Sequence, residues 1–86
     1  MTRGEIRGRL VAAVEAERRI FLTRPLAAAA ETDRLGADLG LDSVGLLYLV
    51  LAMEDAFGLE VDDAEDLAER FATWGQVLDH VEGALT

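Results

Sequence analysis

Cysteine and lysine are both missing from this 86-residue chain, and proline, tryptophan and tyrosine occur once each. Without cysteine there is no thiol catalysis, no CxxC redox centre and no cysteine metal site. The one histidine, His80, has no second ligand beside it and does not make a metal site; it reads as a surface or interhelix residue. No apolar run reaches the roughly 18 residues that a membrane span needs. Met1-Thr2-Arg3-Gly4-Glu5 leads into charged, periodic sequence and lacks the apolar region of a signal peptide. The expectation is a cytoplasmic protein with no membrane partner.

What is present belongs to a folded globular chain, with 51% hydrophobic and 29% charged residues. This length makes one domain, spanning residues 1–86. Such a chain buries about 60–70% of its unfolded surface and has a small stability margin when no disulfide helps. The net charge is −9 and uneven: the six arginines before residue 31 outnumber Glu5, Glu15 and Glu17, whereas Arg34 and Arg70 face fourteen acids in the remainder. A field of that sign repels nucleic acid and attracts basic protein surfaces.

The periodicity is helical. Thr2 and Glu5 fit a capping box ahead of Ile6, Leu10, Val14 and Phe21, which predicts a first helix over about 3–20. Arg24-Pro25 interrupts it, because the residue before proline avoids the helical region. Residues 22–41 read as a long connection with a short turn at Leu26–Glu31, pinned by Leu26, Leu35, Leu39 and Leu41. A loop of that length is unusual unless it packs on the core or works. Asp42 caps a second helix over about 43–57, stopped by Gly58. Asp62 or Asp63 caps a short third helix over about 64–70. Thr73 and Gln76 form another capping box before a fourth helix over 74–85, with Val77, Leu78, Val81 and Leu85 on its apolar side. The fold class is all-α: a small four-helix bundle of three longer helices and one short one.

Ser43 sits where that second helix begins. The first N–H groups of a helix lack intrahelical partners, and its dipole places partial positive charge there, so a phosphodiester suits the position. Asp42, as N-cap, sets where the helix starts and aims Ser43 outward. No base lies near enough in sequence to activate this serine, so it reads as a residue modified by another enzyme.

Leu39-Gly40-Leu41-Asp42-Ser43-Val44, followed by Met53-Glu54-Asp55-Ala56-Phe57-Gly58, resembles the acyl carrier protein family. The resemblance runs over about residues 33–85 and includes Phe71-Ala72-Thr73-Trp74-Gly75-Gln76-Val77 at the entry to the last helix. It implies that Ser43 carries a 4′-phosphopantetheine arm taken from coenzyme A. The arm's thiol, which the chain itself lacks, would hold an intermediate as a thioester. The implied partners are a phosphopantetheinyl transferase and the acyl-loading, condensing and tailoring enzymes of a pathway. A non-catalytic, free-standing monomer suits that work.

The second helix is apolar on two faces. Leu46, Leu49, Val50, Met53 and Phe57 form the stripe expected to bury, and Val44, Leu47, Tyr48 and Leu51 form another. In a domain this small, part of the second stripe should be exposed near Ser43. The resemblance makes it a docking surface for partner enzymes. Gly45 and Tyr48 stand where many fatty-acid carriers have an acid, and acids remain at Glu54 and Asp55. That pattern points to a dedicated carrier of a polyketide-type or other specialised pathway. Two other readings compete: a peptidyl or aminoacyl carrier, against which Gly40-Leu41-Asp42-Ser43 leans to the acyl side, and an unmodified interaction module. Trp74 reads as a staple onto the bundle, and the acids of 62–66 as complements to a helix dipole.

Overall fold

The computed structural model describes residues 1–61 and 66–85. The order is α1 (Arg3–Ala16), a 3₁₀ turn at Leu26–Ala28, α2 (Ser43–Phe57), α3 (Leu67–Arg70) and α4 (Trp74–Leu85). Among the described residues there is no strand, only an isolated bridge between Arg34 and Thr73.

α1 opens on the expected capping box: Glu5 N–H donates to Thr2 Oγ1 at 3.2 Å, and Thr2 N–H donates to Glu5 Oε1 at 3.1 Å. It ends at Ala16, four residues short of the predicted boundary. Glu17 leaves the helical region, and its carboxylate accepts the backbone N–H of Arg19 at 3.0 Å and the Arg19 guanidinium at 2.8 Å. That local turn removes Phe21 from the core stripe, leaving it 78% exposed. Ile20 and Leu22 pack against the core instead.

Three helices supply the centre: Ile6, Leu10 and Val14 from α1, Leu46, Leu49, Val50 and Met53 from α2, and Trp74, Val77, Leu78 and Val81 from α4. Burying each such side chain contributes about 1.5–3 kcal/mol. Phe71 joins them and meets the His80 ring edge-on at 5.2 Å, which gives the histidine an interhelix place. Trp74 is fully buried, and its Nε1–H has no acceptor among the described residues. Phe57 is half-buried at the margin, with the Arg9 guanidinium 5.9 Å from its ring centre. Leu85, expected on the apolar side of α4, is exposed, because it lies one turn beyond Val81, the last α4 residue to reach the core.

Leu26, Leu35, Leu39 and Leu41 of the long connection are all buried, and its helical turn is shorter than expected. Backbone bonds tie it crosswise: Thr23 N–H to Leu39 O, Leu41 N–H to Leu35 O, and Leu35 N–H to Ala72 O, each 2.9 Å. The described part of the third helix is one turn, preceded by Asp66 in the left-handed region at φ 61 with no side-chain cap. The expected caps, Asp62 and Asp63, lie outside the described residues.

The uneven charge is partly consumed internally. Arg3 at the start of α1 pairs with Glu31 at 2.6 Å and Asp79 at 2.9 Å, with Glu82 at 3.6 Å. Glu31 first, and then Asp79, holds its pKa above the ordinary arginine value. Arg7 donates to the carbonyls of Ala27 and Ala29 at 3.1 and 2.6 Å while lying over Trp74. The basic first third is thereby clasped to the loop and to α4.

Candidate functional site

α2 begins and ends where the sequence predicts. Asp42 has extended backbone, and its Oδ1 accepts the N–H of Gly45 at 2.6 Å. Its carbonyl accepts the N–H of Leu46 at 2.9 Å. At the other end Gly58 takes the left-handed conformation at φ 65, which closes the helix. Gly45 is buried: a Cβ there would stand 2.7 Å from Leu41 Cδ1 and 3.0 Å from Asp42 Oδ1. A larger residue would collide with the cap, so Gly45 belongs to the packing behind Ser43 and not to the outer face.

Ser43 is exposed at this helix start. The N–H groups of Ser43 and Val44 have no acceptor among the described residues, since the cap serves only Gly45 and the carbonyl serves Leu46. Free donors, positive dipole end and outward hydroxyl coincide at one point. A covalently attached phosphodiester fits there: its oxygens would find unpaired donors, and the residue bearing it is not needed for packing. His80 is in the interhelix contact with Phe71, and no described residue offers Ser43 a general base. The arrangement can receive a group, and among the described residues nothing hydrogen-bonds the Ser43 hydroxyl.

The outer face of α2 carries Val44, Leu47 and Leu51, at 58%, 45% and 49% exposure, large for side chains of this kind. Tyr48 is only half-exposed because the Arg19 guanidinium lies 4.1 Å from its ring centre, a close cation–π contact. Of the two acids, Asp55 is exposed and Glu54 is half-buried. Glu54 Oε2 accepts the N–H of Val61 at 2.8 Å, so that carboxylate is committed to the turn after α2.

Two hollows flank Ser43. One, of about 300 Å³, is lined mainly by Leu35, Leu41, Leu46, Ala68, Phe71 and Ala72, with Ser43 and Arg34 on its wall. The other, of about 370 Å³, is lined by Arg18, Arg19, Phe21, Val44 and Tyr48, with Gly40 and Asp42, and reaches Ser43 only through its chain neighbours Asp42 and Val44. Spacing does not single out Arg18 or Arg19, and it places Phe21 on the core stripe of the first helix instead of here. The signal was available: the stripe of Ile6, Leu10 and Val14 requires an apolar residue at 17 or 18, and the chain places Glu17 and Arg18 there.

Residues 22–81 match the family described as a phosphopantetheine attachment site. An acyl carrier protein of Wolinella succinogenes is 40% identical over 52 residues, which cover 60% of this chain and 66% of that protein. An acyl carrier protein of Thermotoga maritima is 40% identical over 55 residues, covering 64% of this chain and 65% of that one. The chain thus spans just under two thirds of the length of these relatives. The family match takes in the cross-tied loop, all of α2 and most of α4. The chain therefore belongs to the phosphopantetheine-attachment family, whose members bear a covalently attached 4′-phosphopantetheine and are carriers, not catalysts.

Proposed function

We propose that this protein is an acyl carrier protein and that Ser43 Oγ is where its arm is joined. The observation that carries this reading is the open start of α2: an exposed hydroxyl beside two unpaired N–H donors, in a chain of the attachment family. A phosphopantetheinyl transferase would supply the missing base. The Ser43 hydroxyl loses its proton to that enzyme, a bond forms from Oγ to phosphorus, and the pyrophosphate bond of coenzyme A breaks to release 3′,5′-ADP. When bound, the arm supplies the thiol on which acyl groups are held as thioesters. Asp42 acts at one remove, by fixing the helix start so that Ser43 faces out.

The exposed face of Val44, Leu47 and Leu51, with Tyr48 beside it and Asp55 at its far end, is the proposed docking surface for loading, condensing and tailoring enzymes. Glu54 contributes at its rim only through the face it leaves free. Such contacts should be weak so that partners exchange, with rim charge speeding encounter more than tightening it. This face is apolar where a strongly acidic one would suit basic enzymes, which supports a specialised, polyketide-type pathway over general fatty-acid synthesis. A Tyr48→Glu variant should dock poorly on its own pathway's enzymes; unchanged loading and transfer would count against an apolar docking role.

Intact-mass measurement after incubation with coenzyme A and a promiscuous transferase decides the central point. Wild type should gain one phosphopantetheine and Ser43→Ala none. No gain on wild type, or an equal gain on the variant, would sink the carrier reading.

A further inference from the structure

The hollow on the Arg18 side of Ser43 is distinct in chemistry from its neighbour, and two of its residues, Arg18 and Phe21, neither pack in the core nor belong to the docking face. Arg3, Arg7, Arg9, Arg19, Arg24, Arg34 and Arg70 all meet a carboxylate, a carbonyl or an aromatic ring, whereas Arg18 has no partner among the described residues. Phe21 and Val44 keep most of their surface in solvent. Tyr48 forms a wall of fixed orientation, because Arg19 stacks on it and is itself held by two 2.8 Å bonds to the Glu17 carboxylate. An unpaired cation, two exposed apolar side chains and a preset aromatic wall share one cavity of about 370 Å³, at the small end of the range for ligand sites.

We propose that this hollow binds the phosphate and pantoyl portion of the arm, folded back along α2 from Ser43 instead of standing free. The inference rests on Ser43 as the attachment point. Asp42 and Val44, which line the hollow, adjoin Ser43 in the chain, and Tyr48 lies five residues on, about 7.5 Å along the helix axis. That span suits the root of the arm and not its thiol end. Arg18 faces the phosphodiester with a charge-assisted donor set. The geminal methyls of the pantoyl group cover Phe21 and Val44. A tethered ligand is present at an effective millimolar concentration, so modest contacts are enough to populate the site. The neighbouring hollow, which Ser43 and Asp42 also line, lacks an unpaired cation, because the Arg34 guanidinium lies 3.6 Å from the Asp38 carboxylate.

The test uses the loaded protein, with attachment first established by intact mass. Nuclear Overhauser contacts should join the pantoyl methyl protons to the ring protons of Phe21 and Tyr48. Arg18→Ala should weaken them several-fold and move the phosphorus resonance, while Arg34→Ala should leave both unchanged. Methyl contacts to Leu46 and Phe71, or no contacts to the protein at all, would overturn the proposal while leaving the carrier reading intact. A wild-type protein that gains no mass would overturn both.

Discussion

Two helices of this protein start in nearly the same way and end up with opposite properties. α4 opens on Thr73, whose Oγ1 accepts from Gln76 N–H at 3.2 Å while Gln76 Oε1 accepts from Thr73 N–H at 2.9 Å. The next two donors are consumed as well, Trp74 N–H by Asp33 O at 3.0 Å and Gly75 N–H by Glu31 O at 2.9 Å. That end is sealed, with Trp74 wholly buried. α2 opens on Asp42, which satisfies one donor and leaves those of Ser43 and Val44 open to solvent. The capping chemistry is shared; what separates the two is whether the loop lies across the helix end. A helix N-terminus becomes an anion site only where the fold leaves it uncovered.

The largest expected effect falls at the open end and concerns chemistry, not stability. Ser43→Ala should abolish phosphopantetheine loading outright while shifting stability by less than about 0.5 kcal/mol, as for an exposed residue without packing contacts. Urea denaturation beside intact-mass analysis checks both halves. At the sealed end the signs reverse: Trp74→Ala should lower stability by about 3–5 kcal/mol, enough to unfold much of so small a chain. Trp74→Phe should lose far less, since the Nε1–H it removes has no acceptor. Thermal melts of the two variants measure the difference.

The two caps sharpen the comparison further. Asp42→Ala and Thr73→Ala should each lower stability by about 1 kcal/mol. Only Asp42→Ala should also slow the transferase reaction, because it loosens the helix start that aims Ser43. Equal loading rates for both variants would break the distinction drawn between the ends. The smallest effect is titrational. Hydrogen bonds from Arg19 hold the Glu17 carboxyl down at about 2, below its ordinary 4.5. A folded-state pKa that is lowered gives a contribution fully present above about 4.5 and lost as pH falls toward 2. Acid should therefore release Arg19 from Glu17, visible in the Glu17 carboxyl carbon shift, while the neutral Thr73–Gln76 cap stays unchanged.

Much of this was legible in the sequence. α2 and α4 appear at their predicted bounds because each combines a capping residue, an uninterrupted apolar stripe and a defined stop or start. Ser43 stands where the Asp-Ser dipeptide predicts, exposed at the helix mouth. The failures are of one kind. The end of α1, the exposure of Phe21 and of Leu85, and the inward commitment of Glu54 all depend on neighbours distant in the chain, or on a side chain that turns back on its own backbone. Apolar spacing cannot report them, because Phe21 and Leu85 carry the right character at the right interval and still find nothing to pack on. Arg18 marks only a break in the α1 stripe, and the place of Arg19 over Tyr48 is created by a loop fold, not by a motif.

The crosswise bonds of the long connection have a mechanical consequence. Thr23, Leu35, Leu39 and Leu41 knit it to itself and to Ala72, and the Asp38 carboxylate accepts the backbone N–H of Arg34 at 2.7 Å. Ser43, two residues beyond Leu41, is the post from which the part of the arm beyond its held root would swing. A stiff post confines motion to the tether, so the volume searched by its tip depends on arm length and on where the post points, with nothing lost to wobble at the base. Softening the plate would leave every surface contact in place and still blur the point from which delivery is measured.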